Sequence, residues 1–212
     1  MKPNPLSYRT SLAVFLTCLI IFEMVAYAVT TPRPQERFFE FYILGASRTA
    51  QDYYPRPNSF FIQFDESVNW YIGVRNAMGS LQFVDVRVKL GNLTISAPND
   101  TTASPSPAPL VTEFKHFISV GESWEIPFSW NVHDFTRMEG GYSNVQLTIA
   151  NASYSVKNAP GCSRASSCRF RLIFELWTWN IDSRGFEVGW WNGDRHRIAW
   201  LQLWFDVTPR AQ

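Results

Sequence analysis

The chain has 212 residues, 46% of them apolar and 16% aromatic, with 19 Lys+Arg against 18 Asp+Glu. That length supports one well-buried core and is short for two. The balanced charge removes any electrostatic reason for a nucleic-acid partner, because phosphate binding needs a basic excess.

Residues 1–11 carry Lys2 and Arg9 and no acid, and they precede the apolar run "LAVFLTCLIIFEMVAYAV", Leu12 to Val29. As a helix this run reaches about 27 Å, close to the roughly 30 Å of a bilayer's hydrocarbon core. It is predicted to be a transmembrane signal-anchor helix over 12–29. The positive-inside rule keeps 1–11 in the cytoplasm and puts everything after Val29 outside. A cleaved signal is the rival, since "AYA" at 26–28 has the small-x-small pattern of a cleavage site; both readings export the remainder. Cys18 lies in the run as a small hydrophobe. Glu23 is its one charge. It is expected either to be protonated or reach the outer headgroups, or to pair with a polar group on a partner's membrane helix. Residues 30–36, "TTPRPQE", read as a Pro-stiffened spacer between membrane and body.

From residue 37 the apolar period is two. Strands are predicted over Arg37 to Leu44, Phe60 to Phe64, "VNWYIGV" (68–74), "FVDVRVKL" (83–90), Val111 to Ile118, "SWEIPFSW" (123–130), "NVQLTI" (144–149), "RFRLIFELWTW" (169–179) and "AWLQLWFDV" (199–207). About nine short strands of half-buried alternation, with turns between, predict an all-β, antiparallel, immunoglobulin-like β-sandwich over 37–209. "APNDTTASPSPAP", 97–109, is read as a polar surface loop inside that domain.

Export makes two further readings possible. Cys162 and Cys168 flank "SRASS" in a turn-rich stretch and are predicted to form a disulfide, worth about 2 kcal/mol for so small a ring. Their spacing does not suit zinc, and there is no second Cys pair. Asn92-Leu-Thr, Asn99-Asp-Thr and Asn151-Ala-Ser become candidate glycan acceptors.

Two stretches resemble a known family. "FFEFYILG", then "YYP" and "WYIGVRN", together with the closing "LQLWFDV", resemble the domain-of-unknown-function family numbered 1616 over about residues 38–207. These are mostly archaeal membrane proteins with an exterior β-sandwich. The resemblance implies that fold, an exterior location and an archaeal-type envelope; it implies no catalytic residues.

The sequence offers no catalytic constellation. His116, His133 and His196 are far apart, and nothing selects a pair among Glu122, Glu125, Asp182, Glu187 and Asp194 for glycosidase chemistry. No nucleophile elbow or phosphate loop occurs, so no cofactor and no metal are expected. The nine tryptophans remain. Trp70, Trp124 and Trp130 fit a core face. Trp177 and Trp179 lie on the opposite face of their strand from the core, as do Trp200 and Trp204 on theirs, while Trp190 and Trp191 sit at a turn. Such a surface is covered by the chain itself (the segment Asn180 to Gly189), meets another protein, stacks on sugars, or touches the membrane surface. The expectation is a non-enzymatic, membrane-anchored envelope protein acting by protein–protein contact, as an accessory subunit or a surface-layer-associated element. Its partners are then membrane lipid through the helix, other envelope or membrane proteins, and glycans. A carbohydrate-binding module using surface tryptophans is the first alternative, and an extracytoplasmic enzyme or metal-site subunit the second.

Overall fold

A computed structural model describes residues 5–31, 36–57, 59–137, 142–160 and 168–207. The chain divides into two units, Met1–Gln35 and Glu36–Gln212. In the first, α1 spans Pro5–Thr30, longer at its start than the apolar run alone predicts. Residues Tyr8–Thr30 are apolar and long enough to cross a membrane. Thr17 Oγ1 donates to Ala13 O at 2.9 Å and Thr30 Oγ1 to Ala26 O at 2.7 Å, so both hydroxyls are satisfied inside the helix. Glu23 and Cys18 are exposed on the helix surface. Residues 32–35 of the expected spacer lie outside the described residues.

The second unit is built from thirteen described strands: β1 Phe39–Leu44, β2 Phe61–Ile62, β3 Val68–Asn76, β4 Gln82–Asn92, β5 Leu110–Ile118, β6 Ser123–Arg137, β7 Tyr142–Ile149, β8 Ala152–Pro160, β9 Cys168–Asn180, β10 Gly185–Val188, β11 Trp190–Asn192, β12 Arg195–Arg197 and β13 Trp200–Val207. One sheet has the order β1-β3-β6-β7-β8. The other has β2-β13-β9-β4-β5, with β10 added beside β9; β11 and β12 form a separate hairpin. The nine segments expected from periodicity are all strands. Pairing is antiparallel except between β13 and β2, which makes the second sheet mixed.

Four strands escaped the periodicity. β8 follows a two-residue turn in which Ala150 (φ 48°) and Asn151 (φ 69°) are both left-handed, the geometry of a hairpin turn. "Ala-Asn" is a weak signal for such a turn. β10, β11 and β12 have four, three and three residues, too few to show a period.

The sheets face each other as a sandwich. The face of β3 contributes Trp70, Ile72 and Val74, β6 contributes Ile126, Phe128 and Trp130, and the opposing β4 and β9 contribute Val84, Val86, Val88, Leu90, Phe170, Leu172, Phe174 and Leu176, all buried. Trp70 lies at the centre, with ring centroids 6.1 Å from Phe128, 5.1 Å from Trp130 and 6.1 Å from Phe174. Its Nε1 donates to Tyr53 O, so the indole is buried without an orphaned donor. Pro127 is tolerated in the middle of β6 for a visible reason. β6 pairs with β3 from Ser123 to Trp130 and with β7 only from Trp130 onward, so Pro127 has a neighbour on one side and its missing N–H is not needed.

Candidate functional site

The outward face of the six-stranded sheet is set by register. Across β13 and β9, Trp204 lies opposite Arg171, Gln202 opposite Ile173 and Trp200 opposite Glu175. Across β9 and β4, Glu175 lies opposite Arg87 and Trp177 opposite Asp85. The four indoles therefore share a face with charged groups, as the alternation implies.

Most of that face is closed. The segment 93–109, between β4 and β5, folds back over it as a strap. Ser106 N donates to Glu175 Oε1 at 2.7 Å, and Lys89 Nζ donates to Ser106 O at 2.6 Å. Lys89 Nζ also meets Glu175 Oε2 at 2.9 Å, and Trp177 Nε1 donates to the same oxygen at 3.0 Å. Glu175 is wholly buried and Lys89 nearly so. Every polar atom of the carboxylate is thus satisfied, as a buried charge requires. Arg171 donates to Ile95 O on the strap and to Gln202 Oε1, and Trp200 Nε1 clasps Asp100 Oδ1 at 3.0 Å. Within the expected surface loop 97–109, Asn99 to Thr102 are exposed while Ser106 and Ala108 are buried, and the strap shields an ion pair. Cover comes from 93–109; within the predicted Asn180–Gly189 segment, β10 pairs edge-on with β9 and brings Phe186 beside Trp179.

Two of the indoles are occupied by cations. Arg87 lies 3.8 Å over the Trp177 ring and Arg171 4.8 Å over that of Trp204. Arg87 Nε also donates to Asp85 Oδ2 at 2.8 Å. Burial pushes the Asp85 carboxyl above its ordinary range, against the opposing pull of that hydrogen bond. At the next row, Arg169 holds Asp206 through two contacts of 2.8 and 2.9 Å. Burial, with Asp206 nearby, pushes the Tyr54 phenol up to about 12, and its O–H donates to Trp204 O.

Beyond the strap the face ends in an open aromatic platform. Phe83 stacks on its cross-strand neighbour Phe117 at 4.2 Å. Phe186 sits 5.0 Å from Phe83 and 5.3 Å from Trp179, and Lys115 Nζ lies 5.5 Å over Phe186. Phe117 is 59% exposed and Trp179 40%, with Leu81 and Ile181, beside the platform in sequence, also exposed. Sequence reasoning found Trp179 but missed its three phenylalanine companions, which come from three other strands.

A second feature is a cleft of about 790 Å³ lined by Phe38, Phe41, Trp190 and Trp200 with Glu36, Asp100 and Arg197. Trp190 is buried against Phe39, at 5.3 Å, and Trp191 is 55% exposed, stacked on His196 at 4.7 Å. Gly189 sets this hairpin. Its φ is +75°, and a Cβ there would lie 1.9 Å from Arg197 O, so only glycine fits.

The remaining candidates scatter. His116 stacks on Trp124, His133 bonds Asp65 and Thr148, and His196 lies under Trp191. Among the described residues no three His, Cys, Asp or Glu side chains cluster to hold a metal. Glu122 and Glu187 accept local hydrogen bonds from Ser119 and Asn180. Asn92 is 4% exposed and its Oδ1 caps the backbone of Thr94 and Ile95. Asn99 and Asn151 are exposed. Cys162, and the side chain of Cys168, lie outside the described residues. No protein-family model matches the chain, and no curated protein matches it.

Proposed function

We propose that this is a non-enzymatic, single-pass envelope protein whose immunoglobulin-like sandwich stands outside the cell and works by contact with another envelope or membrane protein. The platform of Phe83, Phe117, Trp179 and Phe186 carries the reading. Four rings from four strands, two of them well exposed, form an apolar surface bordered by Lys115. Aromatic anchors with a charged rim are what interface hot spots use. The apolar helix Tyr8–Thr30 supports the anchored location, as does the likeness of the "FFEFYILG" and "LQLWFDV" strands to exterior domains. An oxidising exterior suits the Cys162–Cys168 disulfide and glycans on the exposed sequons.

A photo-reactive residue placed at Trp179 in cells tests this. Discrete adducts with a second protein, absent when the reactive residue replaces Glu40 on the other sheet, are expected. Equal adducts from both positions, or none from Trp179, overturn the reading.

The cleft favours a second reading, a saccharide held between aromatic rings and polar groups, as small-ligand sites combine the two. It moves the sugar-binding alternative away from Trp177 and Trp204, whose rings Arg87 and Arg171 already cover. Loss of retention on envelope polysaccharide in Phe38→Ala, with Trp179→Ser unaffected, supports it; no retention by the parent chain removes it.

A further inference from the structure

A nine-residue strand, β5, forms one edge of the six-stranded sheet and, among the described strands, pairs with β4 alone. Open edges of this kind invite another strand, and folded proteins blunt them. The edge at β2 is two residues long. β8, the edge of the other sheet on the same side, ends in Pro160 and faces a register break opposite Ser143/Val145. β5 has no proline and no glycine within it, and its one irregularity lies at the start, where the register slips between Val88 and Lys89. From Thr112 to Ile118 it is regular.

Its charges have a particular order. Glu113 and Lys115 stand on the outward face, opposite Arg87 and Asp85 of β4, with Phe114 between them on the inward side. Both are more than a third exposed. Alone, either charge would repel a second copy of the same edge. Flanking Phe114 with opposite signs, they do the reverse. In an antiparallel pair centred on Phe114, each Glu113 faces the Lys115 of the other copy, each Thr112 faces His116, and the two Phe114 face each other. Centring on Glu113 or on Lys115 sets like charges opposite, and centring between residues sets each charge against an uncharged neighbour. Lys115 Nζ already donates to Glu113 Oε1 within one chain, and in this one register each charge also meets its opposite across the seam, which is how strand pairing is made specific.

We infer that β5 is a self-association edge: two copies pair antiparallel about Phe114, joining their six-stranded sheets into one continuous sheet with a two-fold axis. The occupant is a second copy because the charge pattern is complementary to itself. The inference does not rest on the platform reading. Trp179 lies on β9, away from the edge, so Trp179→Ser removes the platform's indole and leaves the dimer unmoved.

The test uses the full chain in detergent micelles, with its mass followed by sedimentation velocity. The parent chain is expected to be dimeric. Glu113→Lys and Lys115→Glu, each alone, set like charges opposite at two places and weaken self-association by at least roughly tenfold. An equimolar mixture of the two restores a dimer, because every cross-copy pair is again opposite in sign. That recovery separates pairing from damage within one chain, since each variant keeps its own altered contacts with β4 in the mixture. Tryptophan fluorescence matching the parent chain shows that each variant is folded. A monomeric parent chain, variants that stay dimeric, or a mixture that stays monomeric overturns the inference.

Discussion

Lys89 Nζ and Glu175 Oε2 meet at 2.9 Å beneath the strap, with side chains 9% and 0% exposed. Removing one partner leaves the other charge buried and unpaired, which costs about 3–5 kcal/mol. Lys89→Met alone is therefore expected to lower unfolding stability by that amount. The double variant Lys89→Met with Glu175→Leu is expected to recover part of it, because no charge is then buried unpaired while the Ser106 N–H and Trp177 Nε1–H lose their acceptor. Urea denaturation of the full chain in detergent, followed by tryptophan fluorescence, compares the two; a double variant no more stable than the single one contradicts this account.

The clasp between Trp200 Nε1 and Asp100 Oδ1 spans 100 residues of sequence at an exposed site. Asp100→Ala is expected to cost only about 1 kcal/mol while speeding amide exchange in 97–105. Exchange confined to its parent rate there would show that the clasp does not hold the strap down.

Gly189→Ala places a Cβ against Arg197 O and forces alanine to a φ of +75°. A loss of at least about 2 kcal/mol is expected, together with release of the β11–β12 hairpin. A crystal structure or spectrum of the variant with Trp191 still stacked on His196 would contradict it.

The Asp85 carboxyl is raised above its ordinary range by burial. The folded state therefore holds that proton more tightly than the unfolded one. Asp85's contribution to stability is complete below the ordinary carboxylate range and is lost as pH rises through its folded value. Glu113, lowered chiefly by its hydrogen bond from Lys115, acts in the opposite direction. It contributes above the carboxylate range and loses that contribution as pH falls. Subtracting the stability of Asp85→Asn from that of the parent chain isolates the first group. The difference should decline as pH rises above the ordinary carboxylate range; a flat or rising difference contradicts the assignment.

Glycan occupancy of the candidate sequons is expected to divide by burial. Asn99 and Asn151 are exposed, while Asn92 is 4% exposed and holds its own turn through Oδ1. Asn99→Gln and Asn151→Gln should each reduce the mass of glycosylated protein from the native membrane, and Asn92→Gln should not. A mass loss in the last variant would show modification before the β4 end folds.

The strands were legible because burial on one face repeats every second residue. Val84, Val86, Val88 and Leu90 announce β4 without help from the rest of the chain, and the outward placement of Trp177 and Trp204 follows from the same parity. The strap was not legible. Its working parts are a backbone amide and carbonyl at Ser106 and a carbonyl at Ile95, and backbone groups leave no mark in composition. Ser106 and Glu175 are 69 positions apart, so no local pattern links them. Arg87 and Arg171 were visible as polar alternates, but their stacking on Trp177 and Trp204 depends on which strands become neighbours. The platform was missed for the same reason: Phe83, Phe117 and Phe186 each look unremarkable alone.

An engineer asked to shorten this protein would begin with "APNDTTASPSPAP", whose proline and serine content suggests filler. The backbone of Ser106 makes that the wrong cut, since trimming it would let water reach a carboxylate and an ammonium that the sandwich has sealed away. Length could instead be removed where nothing is sealed, at the Asp182–Ser183–Arg184 turn, whose side chains all face solvent.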